Sequence, residues 1–126
     1  MIAATNELAL PAEQMPETGA IDTGHLSRMT LGERSLQREV LALFDRQADL
    51  LLPRMRAGGP GVAAASAHVL KGSAAGIGAF KVAQAAGVVE QAQSANDSAA
   101  VAAAIEVLAT LLDEAKTDIA RLLRAG

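Results

Sequence analysis

The chain has 126 residues, one domain's worth, and a formal net charge of −3. Its aromatics are Phe44 and Phe80 alone, and its acidic balance opposes a sequence-blind grip on phosphate backbones, so stacking or backbone-tracking nucleic-acid binders are excluded. No cysteine is present, which removes disulfides, thiolate metal sites and thiol nucleophiles, and 29 Ala against 8 Val and 5 Ile favour helices over sheet.

Residues 1–20 carry Pro11, Pro16 and Gly19 with no sustained period, and read as a flexible N-terminal tail with Leu8 and Leu10 as its apolar points. No Lys or Arg precedes Arg28, so the start lacks the basic residues of a signal peptide. Residues 21–126 form the expected folded domain. Asp22 and Thr23 look like caps for a short helix holding Leu26 and Met29, broken by Gly32. A long helix follows from about Glu33 to Arg56, with Leu36, Val40, Leu43, Phe44, Gln47 and Leu51 as its expected apolar stripe. Pro53 lacks the amide proton that its turn would donate, which predicts a kink or a restart there.

The run Ala57-Gly-Gly-Pro-Gly61 is the clearest break in the chain. The next helix is expected from Val62 to Ile77, with Gly78 as a left-handed terminus, and another from Phe80 to Ser94. Asp97 or Ser98 caps the last helix, whose seam Val101, Ile105, Leu108, Leu112, Ala115, Ile119, Leu122 steps by four and three. The longest apolar run, Ala99 to Ile105, is too short to span a bilayer. The sum is an all-α fold, an antiparallel four-helix bundle with a short additional N-terminal helix. A cytoplasmic monomer is the expected setting.

The third long segment carries the chemistry. With 100° per residue, Ala63, Leu70, Ala74 and Ile77 fall opposite His68. Lys71 and Gly72 flank His68 one turn later, and Ala64, Ala65, Ala75 and Gly76 complete its outer face. An imidazole thus stands on a surface of very small side chains. Two glycines there lower helix propensity by about 1 kcal/mol each relative to Ala, which close approach by another molecule would explain. From Ala57 to Val89 the charged residues are Lys71 and Lys81, so a locally cationic patch is expected on an acidic protein. That favours an acidic or phosphorylated partner surface.

Residues 67–79, Ala-His-Val-Leu-Lys-Gly-Ser-Ala-Ala-Gly-Ile-Gly-Ala, resemble the signature of histidine phosphotransfer (HPt) domains, the phosphorelay intermediates of two-component signalling. That signature runs approximately His-x-Leu-Lys-Gly-Ser-(Ala/Ser)-x-x-(Leu/Ile)-Gly. His68, Leu70, Lys71, Gly72, Ser73, Ala74, Ile77 and Gly78 match in register, and a looser likeness extends from Ile21 to Leu123. The resemblance implies that His68 is a phosphoacceptor. It would take a phosphoryl group from the aspartyl phosphate of one receiver domain and pass it to the Asp of another. Receiver domains of response regulators or hybrid sensor kinases are the implied partners. Lys71 would lie near the phosphoryl oxygens, Gly72 would leave room for the receiver's rim, and Lys81 would assist docking. Ser73 is expected to face inward.

Family members often place a Gln twenty-two residues after the His, where it orients the ring; this chain has Glu90 there. A carboxylate can accept the Nδ1 proton, as supporting carboxylates do for other histidines; an exposed Glu in a local helix pair is the bland alternative. Gln84 and Gln91 are fallback orienting groups, and His25, without the Lys-Gly context, reads as structural. The glycines do not form a dinucleotide fingerprint, and Lys71-Gly-Ser73 reverses the order of a phosphate loop. The histidines lie too far apart for a metal site. No cofactor is expected in this chain, Mg²⁺ being needed only in the partner receiver, and no ATP-dependent kinase activity is expected. The alternative function is a non-catalytic helical adaptor that docks signalling proteins through the same face.

Overall fold

The computed structural model describes residues 20–125, so the expected tail of residues 1–20 lies, all but Ala20, outside the described residues. Five helices follow in order: α1 (Thr23–Met29), α2 (Arg34–Ala57), α3 (Pro60–Ile77), α4 (Phe80–Ser94) and α5 (Ser98–Ala125). Two residues join α2 to α3, two join α3 to α4 and three join α4 to α5. Connections this short force consecutive helices to run back on one another. Each of α2 to α5 packs on the next, and α5 closes the ring on α2, while α1 lies against α3. The result is the all-α bundle with one extra N-terminal helix. Among the described residues, no helix is long and apolar enough to cross a membrane.

The core is built from Phe44, Leu70, Val82, Val89, Leu108, Leu112 and Ile119, with Ile21 sealing one end. Ala67, Ala74, Ala86 and Ala115 are fully buried between them, so the abundant alanine serves close helix approach. On α5, Ile105 to Ile119 of the expected seam are buried, and Val101 and Leu122 pack at its ends.

On α2 the expected stripe is corrected. The buried set is Leu41, Phe44, Ala48, Leu51 and Met55, while Leu36 and Leu43 are exposed and Gln47 is half-buried. Two overlapping stripes share Phe44 and Leu51. The one that wins runs unbroken at three- and four-residue steps and has no polar member. Pro53 neither ends nor restarts α2. It sits in the last turns, exposed, one turn after an exposed Asp49 whose freed carbonyl can turn to water. Pro60 and Gly61 belong to α3 rather than to a loop. Proline suits the first helical turn, where its missing N–H has no partner to lose.

The caps hold the ends. Asp22 Oδ1 accepts from the His25 N–H at 3.0 Å, and Asp97 Oδ1 accepts from the Ala100 N–H at 3.0 Å. Met29, expected on the inner side of α1, is exposed, and Leu26 alone anchors that helix. Gly78 closes α3 at φ +86°, in the left-handed region that favours glycine. The same residue meets the strap before α1. Its carbonyl accepts from the Asp22 N–H at 2.9 Å, and an added Cβ would stand 2.7 Å from the Asp22 carbonyl oxygen. Buried Asp118 on α5 completes the seat, accepting from the Ile21 N–H at 3.0 Å and pairing with Arg121.

Candidate functional site on the α3–α4 hairpin

Helix α3 buries Ala63, Ala67, Leu70, Ala74 and Ile77 and turns His68 away from them. The His68 side chain keeps 72% of its surface exposed. One turn on, Lys71 is half-exposed and sends its stem over Gly87 of α4, where an added Cβ would be 3.7 Å from Lys71 Cδ. Helix α4 buries Val82, Ala85, Ala86 and Val89. Glu90 borders that stripe on the side facing α3.

Three side chains meet there. Glu90 Oε2 lies 2.9 Å from His68 Nδ1, and Glu90 Oε1 lies 2.6 Å from Lys71 Nζ. The Lys71 ammonium is the main cause holding the Glu90 carboxyl below its ordinary range; partial burial opposes this and the His68 contact adds to it. An ionised carboxylate only accepts hydrogen bonds, so in this contact a neutral imidazole would donate from Nδ1 and keep its lone pair on Nε2. A neutral imidazole nitrogen of this kind can form a covalent intermediate.

The outer face of α3 is open. A Cβ added at Gly72 or at Gly76 would meet nothing within 4 Å. Gly72 and Ala65 are exposed, and Ala64, Ala75 and Gly76 are half-buried. Ser73 is half-buried rather than core. Lys81 is exposed but stands nine residues before Glu90 (81 against 90), about 13 Å along the axis of α4. Gln84 and Gln91 are both exposed, and Glu90 is the α4 residue that meets the imidazole. His25 is half-buried, its ring edge-on to Phe80 at 5.0 Å between centroids.

The expected cationic patch is corrected: Glu90, one residue beyond the stretch Ala57 to Val89, pairs its carboxylate with Lys71. The sequence reading also passed over apolar side chains on the same hairpin. Val62 and Val69 on α3 and Val88 on α4 are each close to half-exposed. The seven-residue step from Val62 to Val69 to Gly76 was the available signal.

The sequence model of the family described as Hpt domain matches residues 33–118, and the chain belongs to that family. Among solved structures it is similar to the histidine phosphotransferase ShpA from Caulobacter crescentus, with 32% identity and a TM-score of 0.56. That similarity covers 85% of this chain and 98% of the other. A comparison with curated proteins gives no match. The chain's role is phosphotransfer within a phosphorelay, the setting in which HPt domains meet receiver domains.

Proposed function

We propose that this chain is a relay intermediate. It accepts a phosphoryl group on His68 Nε2 from the aspartyl phosphate of one receiver domain and hands it to the aspartate of another. The observation that carries the reading is the exposed His68 ring with Nδ1 held by Glu90, beside open space at Gly72 and Gly76. Phosphoryl transfer needs alignment and charge neutralisation more than covalent machinery, so a small bundle suffices. Glu90 orients the ring. Lys71 turns from Glu90 to the phosphoryl oxygens as they arrive. Gly72 and Gly76, with Ala64, Ala65 and Ala75, admit the receiver's rim, and Lys81 adds long-range attraction to an acidic partner. Mg²⁺ belongs to the receiver, and this chain contributes no cofactor. It acts as a cytoplasmic monomer between response regulators or hybrid sensor kinases.

The test is a phosphotransfer screen against phosphorylated receivers. His68 is expected to become labelled with phosphate that is stable in base and labile in acid, and His68→Gln is expected to abolish the label with the helical signal intact. Label retained in that variant excludes His68 as the acceptor. Binding of receivers without any transfer favours the adaptor reading instead.

A further inference from the structure

A groove of about 330 Å³ opens at the strapped end of the bundle, between α1, the start of α2 and the end of α5. Leu26, Leu41 and Leu122 supply its apolar wall, and the exposed Arg34 and Arg38, one turn apart on α2, stand at its rim. Among the described residues that line it, none is acidic. Arg38 is held at the edge by its bond to the Leu123 carbonyl, and its guanidinium has further donors for a carboxylate. An apolar wall beneath two guanidiniums is complementary to an acidic segment with leucine-sized anchors. The chain carries such a segment beside the groove. Residues 1–19 hold Glu7, Glu13 and Glu17 with no Lys or Arg, and Leu8 and Leu10 lie among them. Ala20 is the first described residue, its neighbour Ile21 is anchored by Asp118, and the groove begins at Thr23. Ten residue steps separate Leu10 from Ala20 (20 against 10), about 33 Å of extended chain. A tether this short sets an effective concentration on the order of millimolar, so modest contacts suffice.

We propose that this groove is an intramolecular docking site for residues 1–19. Leu8 and Leu10 enter against Leu26, Leu41 and Leu122, and the glutamates of the segment pair with Arg34 and Arg38. Docked there, the segment ties α1 to α2 and α5 at one end of the bundle. His68 lies ten residues before Gly78 on α3 (78 against 68), about 15 Å along the helix from that end. The imidazole face therefore stays open to a partner. The inference needs no phosphoryl transfer, and it stands or falls apart from the relay reading.

The chain has no cysteine, so Asn6→Cys gives a single attachment point for a nitroxide spin label on the full chain. Amide resonances of the ¹⁵N-labelled protein are read with the nitroxide oxidised and then reduced. Loss of signal is expected at residues 23–27, 34–41 and 122–125, while signals at residues 64–72 around His68 persist. Arg34→Glu/Arg38→Glu is expected to restore the lost signals. Leu8→Ser/Leu10→Ser, which alters no residue of the described bundle, is expected to restore them as well. A mixture of spin-labelled chain without ¹⁵N and ¹⁵N-labelled chain without the nitroxide is expected to show no loss. An unchanged spectrum overturns the inference and leaves the groove to another occupant. Loss spread evenly over the surface, loss centred on residues 64–72, or loss that survives either double variant overturns it too. Equal loss in the mixture also overturns it, by assigning the groove to the segment of a second copy.

Discussion

In the proposed transfer, Lys71 has one ammonium and two anions to serve. At rest it sits on Glu90 at 2.6 Å. An arriving phosphoryl group offers a stronger charge a short swing away, and the flexible stem of lysine makes that swing a matter of its outer rotamers. Lys71→Ala is expected to slow phosphoryl transfer while the bundle stays folded; unchanged transfer rates would remove Lys71 from the reaction. The same contact sets a pH dependence. Because the folded-state pKa of Glu90 is lowered, the clamp is fully formed above the ordinary carboxylate range and is lost as pH falls through that lowered value. Its effect on global stability is small, since the partners are partly exposed to solvent. A carboxyl-detected titration should place the Glu90 midpoint below that of an ordinary glutamate, and Lys71→Ala should raise it. A midpoint indifferent to Lys71 would contradict the geometry. At this scale the wheel alone turned His68 outward, because one helix's periodicity decides it. The meeting of Glu90 with Lys71 was not legible, because it depends on how α4 is rotated against α3.

Helix α3 gives up stability where it has no internal need to. Glycine at positions 72 and 76 weakens a helix interior, and neither site is crowded. Gly72→Ala is therefore expected to stabilise the bundle by up to about 1 kcal/mol, read as a rise in the denaturation midpoint. On the proposed docking face it is also expected to slow transfer to and from receivers, because the added methyl would stand in the way of the partner's rim. A variant both more stable and equally fast would show that the glycine has no docking role. Legibility differed between the long helices for a physical reason. The seam of α5 runs unbroken at four- and three-residue steps from Val101 to Leu122, so its period names its buried face. Helix α2 carries leucines on two overlapping stripes, at Leu36 and Leu43 as well as at Leu41 and Leu51. The deciding feature is local but subtle: only the stripe from Leu41 to Met55 runs unbroken with no polar member.

The described residues form a ring of four helices, with α1 and a strap across one end. The strap is tied at Ile21 to Asp118 of α5 and at Asp22 to Gly78 at the α3–α4 corner. Gly78 thus has two duties, a left-handed backbone and a close backbone contact. Gly78→Ala is expected to cost at least about 2 kcal/mol, from the αL penalty and the displaced strap together. A loss under about 0.5 kcal/mol in denaturant unfolding would mean that the strap gives way freely. The turn at Gly78 was legible, because glycine after a periodic run is a helix stop. The strap was not, since nothing in its own residues says that a carboxylate ninety-seven positions later receives Ile21.

All three reactive-site side chains come from one stretch, His68 to Glu90, whose two arms are joined by Gly78 and Ala79 alone. The chemistry is therefore modular in chain order. A circular permutant opened between Gly58 and Gly59 would keep the imidazole, ammonium and carboxylate on uninterrupted chain. One opened between Gly78 and Ala79 would turn their meeting into a long-range closure and cut the strap's anchor in the same stroke. The first kind of rewiring preserves the hairpin as a transplantable unit for other helical scaffolds, and the second dismantles it.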